Sequence, residues 1–212
     1  MKVAAIVLAG GKGTRMKSAL PKVFHEVCGK SILDRVIQTL DGAGVSDLTL
    51  VAGGDLSKFK KFEAARNITV VRQINRNGTG DAVASASLAF ENTQLPDYCK
   101  SELISGNKIS SDYVLITAAD TPAISASVIS EFIKHSVDNK MALSVIGMKL
   151  PNPFGYGRLV QNEEGKLEKI VEEKDACEQQ KAIQLCNSGV ILAKTDLLFE
   201  LISKINNDNA QH

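Results

Sequence analysis

The chain has 212 residues, of which 44% are hydrophobic and 23% charged, and its formal net charge is +1. That composition suits a globular protein with a real core, and the near-neutral balance excludes a global field that would select nucleic acid or an anionic membrane surface. No apolar run approaches the roughly 20 residues of a membrane span, so neither a nucleic-acid nor a membrane partner is expected.

The first element, Val3-Ala4-Ala5-Ile6-Val7-Leu8, is a continuous apolar run of the kind that forms a buried strand. It leads into Leu8-Ala9-Gly10-Gly11-Lys12-Gly13-Thr14-Arg15-Met16, and Lys22 follows at Pro21-Lys22. Glycines at 10, 11 and 13 let the backbone turn sharply with its amides uncovered, and a nest of such amides binds anions, phosphate above all. Arg15 and Lys22 add fixed positive charge, so the loop reads as a holder for a polyphosphate. It is not a Walker A loop, because no Gly-Lys-Ser/Thr occurs, and it is not a dinucleotide loop, because Met16 stands where the third glycine of G-x-G-x-x-G belongs. The bland alternative is a glycine-rich turn with incidental cations. The coincidence of strand, glycines and paired cations argues against it.

Further along, Ile32, Leu33, Val36, Ile37 and Leu40 share one helical face, which Gly42 and Gly44 end. Leu48–Ala52 is a second strand, 55–66 an amphipathic helix, Ile68–Val71 a third strand, and Asp81–Phe90 an alanine-rich helix. Tyr113–Thr117 is a fourth strand, closing at Ala118-Ala119-Asp120. Ser127–His135 is helical and Ala142–Met148 a strand. Such alternation predicts an α/β protein, a Rossmann-like, mostly parallel mixed sheet with helices on both faces. Ligands of such sheets sit at the carboxyl ends of strands, where the glycine loop and Asp120 both lie. From about Leu150 the character changes. Gly155–Val171 reads as a hairpin, Gln184–Leu192 as a strand and Thr195–Ile205 as a closing helix. The polar stretch Asn92–Asp112 is expected to be a long loop or an insertion, and Asn206–Asn209 a frayed end.

Asp120 closes an apolar strand and precedes Thr121-Pro122. Alone it reads equally as a Mg2+ ligand, since that hard cation favours oxygen donors and substrate phosphates, or as a turn aspartate. A phosphate loop on the same sheet edge favours the metal. Gln73 and Gly78-Thr79-Gly80 follow the third strand. Gln73 offers the donor and acceptor that a pyrimidine edge demands, and glycines let a base lie against backbone, but by themselves these residues read as a plain turn before a helix. Glu172, ending a strand, and Asn187, beginning one, suit sugar hydroxyls or an amide. By composition they read as a solvated charge run and a turn asparagine. Cys28, Cys99, Cys177 and Cys186 share no metal-like spacing and no signal-peptide core precedes them, so reduced thiols and a cytoplasmic location are expected. His25-Glu26 does not continue as H-E-x-x-H, because residue 29 is glycine.

Together these residues resemble a known family. Leu8-Ala9-Gly10-Gly11-x-Gly13-Thr14-Arg15-Met16 with Pro21-Lys22 resembles the signature of nucleotide-sugar pyrophosphorylases. Gly78-Thr79-Gly80, Gly155-Tyr156-Gly157-Arg158, Ile170–Ala176 and Asn187-Ser188-Gly189 are similar, in order, to the N-terminal uridylyltransferase domain of the bacterial bifunctional N-acetylglucosamine-1-phosphate uridylyltransferase/glucosamine-1-phosphate acetyltransferases. The resemblance implies a nucleotidyltransferase fold, and a reaction of UTP with N-acetylglucosamine 1-phosphate that uses Mg2+ and yields UDP-N-acetylglucosamine and pyrophosphate. It implies that Leu8, Ala9, Gly10 and Gly11 hold the nucleotide, that Arg15 and Lys22 act on its phosphates, and that Gln73, Gly78 and Thr79 read uracil. Asp120 would bind the metal, and Gly157, Glu172 and Asn187 the acetamido sugar. A nucleotide half over about residues 1–125 and a sugar half over about 126–212 follow from that order.

The chain departs from the family in four respects. Ala119 replaces a glycine before Asp120, and Asn92–Asp112 is longer than its counterpart. No hexapeptide repeat occurs, so no β-helix acetyltransferase is expected within these residues. The family domain continues past the equivalent of His212, with a second, asparagine ligand to Mg2+, so a fragment or a minimal domain is expected. Two other readings remain: a related nucleotidyltransferase such as a molybdenum-cofactor guanylyltransferase, against which Lys17 after Met16 counts, and a non-catalytic nucleotide-sugar-binding module. The oligomeric state is open, a homo-oligomer included.

Overall fold

The computed structural model describes residues 1–11, 13, 16–59 and 68–205. Among these the strands are, in chain order, β1 (Val3–Ala9), β2 (Glu26–Val27), β3 (Lys30–Ser31), β4 (Asp47–Ala52), β5 (Ile68–Gln73), β6 (Ser101–Ser105), β7 (Tyr113–Ala118), β8 (Leu143–Lys149), β9 (Arg158–Gln161), β10 (Leu167–Val171) and β11 (Leu185–Lys194). The helices are α1 (Ile32–Gly42), α2 (Thr79–Ser85), α3 (Ala126–Asp138), α4 (Glu178–Lys181) and α5 (Thr195–Ile202).

β1 explains the architecture. Its side chains alternate between sides: Ala5, Val7 and Ala9 enter one core, Ala4 and Ile6 the other. A strand apolar on both faces needs cover on both. On the first face α1 contributes Leu33, Val36, Ile37 and Leu40, and α3 contributes Ile129. On the second, α2 contributes Ala82 and Val83, and α5 contributes Leu198, Phe199 and Ile202. The expectation of helices on both faces holds. Ser31 starts α1 by accepting the Asp34 amide on its hydroxyl, which satisfies one of the free donors of the first turn.

The nine-stranded sheet runs β10-β9-β11-β7-β1-β4-β5-β6, with β8 paired to β11. Strands β7, β1, β4 and β5 are mutually parallel, and the flanking pairs are antiparallel. The chain moves outward from β1 to β4 and β5, then returns to β7 on the other side of β1. At such a reversal, outside the carboxyl ends of β1 and β7, sheets of this kind bind their ligands.

The hairpin expected after Leu150 is β9 and β10, paired antiparallel. The Asn92–Asp112 stretch is not structureless: it contains β6, which covers the β5 edge. β6 lacks apolar alternation because it is an edge strand of mostly exposed or half-buried residues. The helix expected at Asp81 begins at Thr79 and passes into a 3-10 turn over Ala86–Ala89. The 55–66 helix falls largely outside the described residues. No helix among the described residues is long and apolar enough to cross a membrane.

Candidate functional site

Register brings the two principal sequence features together. Leu8 lies opposite Ala118 in the β1–β7 pairing, and the Ala119 amide donates to the Leu8 carbonyl at 2.9 Å. The loop that begins at Gly10 therefore leaves the sheet beside Asp120. Gly13 sits at φ +58, in the left-handed region that glycine occupies without strain, and a Cβ there would stand 3.1 Å from the Lys22 Cβ. The chain thus folds back against Lys22. Lys22 opens a 3-10 turn whose next two residues, Val23 and Phe24, are buried in the core and anchor it.

From that anchor the Lys22 ammonium reaches Asp120 Oδ2 at 2.6 Å. Both side chains are 37% exposed, so incoming ligands can reach them and the pair itself adds little stability, about 0–1 kcal/mol. Its consequence is placement: a cation and a carboxylate meet at one point outside the carboxyl ends of β1 and β7. Arg15 lies outside the described residues.

The second group lies across β4. Gln73, at the end of β5, is 4% exposed, and a Cβ on Gly10 would be 2.9 Å from its Oε1. Only glycine at position 10 lets that side chain lie there undisturbed. The Gln73 amide nitrogen donates to Asp81 Oδ2 at 2.6 Å and to the Gly78 carbonyl at 3.3 Å. Gly78 carries φ +99 where the chain enters α2, and Thr79 is the exposed first residue of that helix. Gly10, Gln73 and Gly78 are therefore neighbours. Gly11 is exposed and has no atom within 4 Å of the Cβ it lacks.

The third group is at the β9–β11 end. The Asn187 backbone N–H donates to the Gly157 carbonyl at 2.8 Å, Asn187 Oδ1 accepts the Gly189 amide at 2.9 Å, and a Cβ on Gly157 would be 3.0 Å from Glu172 Oε1. Three residues chosen from separate motifs thus converge. β11 runs antiparallel to β7, so its amino-terminal end, with Asn187, lies toward the carboxyl end of β7, the end that leads to Asp120.

A clamp supports this group. Arg158 is 1% exposed, and its guanidinium pairs with Glu173 Oε2 at 2.7 Å while donating to the carbonyls of Tyr156 and Lys181. Glu173 also accepts the Gly155 amide at 3.1 Å. The Arg158 hydrogen bond, then the Gly155 amide, hold the Glu173 carboxyl below the usual glutamate range. The clamp ties the Gly155–Gly157 turn to the segment that presents Glu172.

Among the described residues no group of three or more His, Cys, Asp or Glu side chains could hold a metal on its own. Asp120 is a single, accessible carboxylate. That fits Mg2+ shared with a ligand's phosphates and waters, because Mg2+ is commonly held by one or two carboxylates plus substrate oxygens.

Sequence reasoning passed over Asp81, Arg158 and Glu173 as functional candidates. Asp81 reads as the start of an alanine-rich helix, and Arg158 as one position of Gly-Tyr-Gly-Arg. Their partners could not be read from spacing. Arg76 was also missed: it holds φ +53, and a Cβ on Gly53 would be 2.5 Å from its Nε, so its guanidinium lies on the Gly53–Gly54 turn after β4.

Comparison with known proteins decides the family. The model described as MobA-like NTP transferase domain matches residues 5–183. The chain belongs to that family. It is a nucleotidyltransferase domain. Among curated relatives, the bifunctional protein GlmU of Clostridioides difficile (strain 630) is 34% identical over 211 residues, covering 100% of this chain and 42% of the relative. That of Staphylococcus carnosus (strain TM300) is 35% identical over 207 residues, covering 98% and 42%. The chain thus spans less than half the length of these relatives. A crystal structure of UDP-glucose pyrophosphorylase complexed with UDP-glucose superposes with a TM-score of 0.75 over 96% of this chain and 80% of that one. At 17% identity that likeness is one of fold.

Proposed function

We propose that the chain transfers a uridylyl group from UTP to N-acetylglucosamine 1-phosphate, releasing pyrophosphate and forming UDP-N-acetylglucosamine. The observation that carries this reading is the contact of Lys22 with Asp120 beside the glycine loop: phosphate-binding amides, a cation and a metal-type carboxylate share one rim. The relatives at 34–36% identity support the uridylyl donor and the sugar acceptor.

In this reading the amides after Leu8 and Ala9, at Gly10 and Gly11, hold the triphosphate, and Arg15 neutralises the departing pyrophosphate. Lys22 would contact phosphate oxygens at the reacting centre, and Asp120 would hold Mg2+. When bound, the metal neutralises charge on the phosphates. Gln73, Gly78 and Thr79 face the base. Gly157, Glu172 and Asn187 hold the acetamido sugar, giving a nucleotide half over about residues 1–125 and a sugar half over about 126–212.

The acceptor's phosphate oxygen attacks the α-phosphorus in line, a P–O bond to that oxygen forms, and the bond to pyrophosphate breaks. A phosphate monoester is already anionic at neutral pH, so no side chain need act as a base. Catalysis comes from alignment and fixed positive charge.

The test is pyrophosphate release from a panel of nucleoside triphosphates and sugar 1-phosphates. UTP with N-acetylglucosamine 1-phosphate should be the preferred pair. A preference for GTP would move the chain to a guanylyl-transferring branch. Tight UDP-sugar binding without turnover would make it a binding module.

A further inference from the structure

We infer that Asp81 is a positioning residue: it holds the Gln73 side-chain amide with its oxygen toward the nucleotide, which makes the site select uracil over cytosine. The inference rests on the reading that a nucleotide base sits at Gln73.

A carboxylate only accepts hydrogen bonds, so the group of Gln73 that meets Asp81 Oδ2 at 2.6 Å must be the NH2. The second NH2 proton goes to the Gly78 carbonyl, another obligate acceptor. Both donors of the amide are thereby spent inside the protein. Oε1 is left facing Gly10, and no described protein group donates to it.

Asp81 is itself pinned. It is 5% exposed, and Oδ2 also accepts the Asn77 amide at 3.3 Å. Its other oxygen, Oδ1, is buried without a partner. A buried carboxylate satisfied on one oxygen is a costly way to fill space, and packing alone does not call for it. What it achieves is a one-way constraint on the neighbouring amide.

An acceptor-only Oε1 suits a ring nitrogen that carries hydrogen. Uracil N3 is a donor, whereas cytosine N3 is an acceptor and would oppose Oε1 lone pair to lone pair; the one donor on that edge of cytosine, its N4 amino group, meets Oε1 only if the ring shifts along the edge from the seat that uracil takes. Without Asp81 only the longer 3.3 Å contact with the Gly78 carbonyl opposes a half-turn of the amide, which then offers NH2 instead, and most of the distinction is lost. Neither the glycine loop nor the metal-type carboxylate can make it, because both handle phosphates common to every nucleotide.

The test is equilibrium binding of UTP and CTP by calorimetry, which needs no turnover, on the wild type, Asp81→Asn, Asp81→Leu and Asp81→Ala. Wild type should bind UTP roughly 10- to 100-fold more tightly than CTP, the scale of one buried polar group left unpaired. Asp81→Asn keeps an acceptor for the Gln73 NH2 and should retain most of the preference. Asp81→Leu and Asp81→Ala should bring it below about threefold. The Gln73 side-chain NH2 resonances should be protected from solvent exchange in wild type and Asp81→Asn, and lose protection in Asp81→Leu. The inference is overturned if wild type shows no UTP preference, if Asp81→Leu and Asp81→Ala retain it, or if Asp81→Asn loses as much as Asp81→Leu, which would make the effect one of charge. If UTP is preferred in binding but no sugar 1-phosphate yields pyrophosphate, the proposed reaction fails while the role of Asp81 stands.

Discussion

Lys22 Nζ lies 2.6 Å from Asp120 Oδ2 although 98 positions separate the two residues in the chain. The contact exists because β1 and β7 are parallel neighbours whose loops leave the sheet side by side. On the proposed reading, Lys22 would turn to phosphate oxygens and Asp120 to the cation of a metal–triphosphate, so that binding would exchange one ion pair for two.

Asp120→Asn keeps the shape of the residue but removes the charge that a divalent cation requires. Pyrophosphate release should fall by roughly 100- to 1,000-fold, the scale of losing one charge-stabilising group at a reacting centre. The thermal midpoint should barely move, since a half-exposed ion pair contributes at most about 1 kcal/mol. A large drop in midpoint, or turnover close to wild type, would contradict this role.

Gly157→Ala tests the sugar side. The new Cβ would stand 3.0 Å from Glu172 Oε1 and 3.3 Å from Ile170 Cγ2, so the carboxylate must move. KM for N-acetylglucosamine 1-phosphate should rise about tenfold or more, because small misplacements of positioning groups are costly. KM for UTP should stay near wild type. Equal changes in both constants would mean that Gly157 serves the fold in general.

Gly10→Ala is the counterpart on the nucleotide side. Its Cβ would come within 2.9 Å of Gln73 Oε1 and push that side chain from its place. UTP binding measured by calorimetry should weaken by about tenfold, with sugar-phosphate binding to the nucleotide-free protein unchanged. Unaltered UTP affinity would count against Gln73 as a base contact.

The Arg158–Glu173 clamp makes a prediction about acid. The folded protein holds the Glu173 carboxyl below its ordinary range, through the Arg158 hydrogen bond first and the Gly155 amide second. A depressed folded pKa means that the stabilisation is fully present above the unfolded value, about 4.3, and is lost as pH falls through the lower folded value. In urea titrations Glu173→Gln should be less stable than wild type at pH 7, and the gap should narrow as pH falls below about 4. A gap independent of pH would show that the charge of Glu173 is not what holds the buried arginine.

The parts of the fold legible beforehand were those written in local pattern. The all-apolar run of β1 announced a strand covered on both faces, and Ile32, Leu33, Val36, Ile37 and Leu40 announced a helix with one buried side. β6 escaped notice because an exposed edge strand needs no apolar alternation. In the site, each of Gln73, Gly157, Glu172 and Asn187 was individually ambiguous between a turn or solvent-facing role and a ligand role. The structure sets Gly157, Glu172 and Asn187 side by side and Gln73 apart from them against Gly10, while Asn187 Oδ1 also accepts the Gly189 amide at 2.9 Å as a turn asparagine does.

The glycine loop, the paired cations and the strand-end aspartate are decided by the chain itself, because backbone freedom and side-chain charge are properties of single residues. Which atoms meet is decided only by strand order and register. Those bring Lys22 to Asp120, Asn187 to Gly157, and Gln73 across to Gly10. The physical reason is that non-local contacts arise from how the two cores pack against one sheet, and no short stretch of sequence contains that packing.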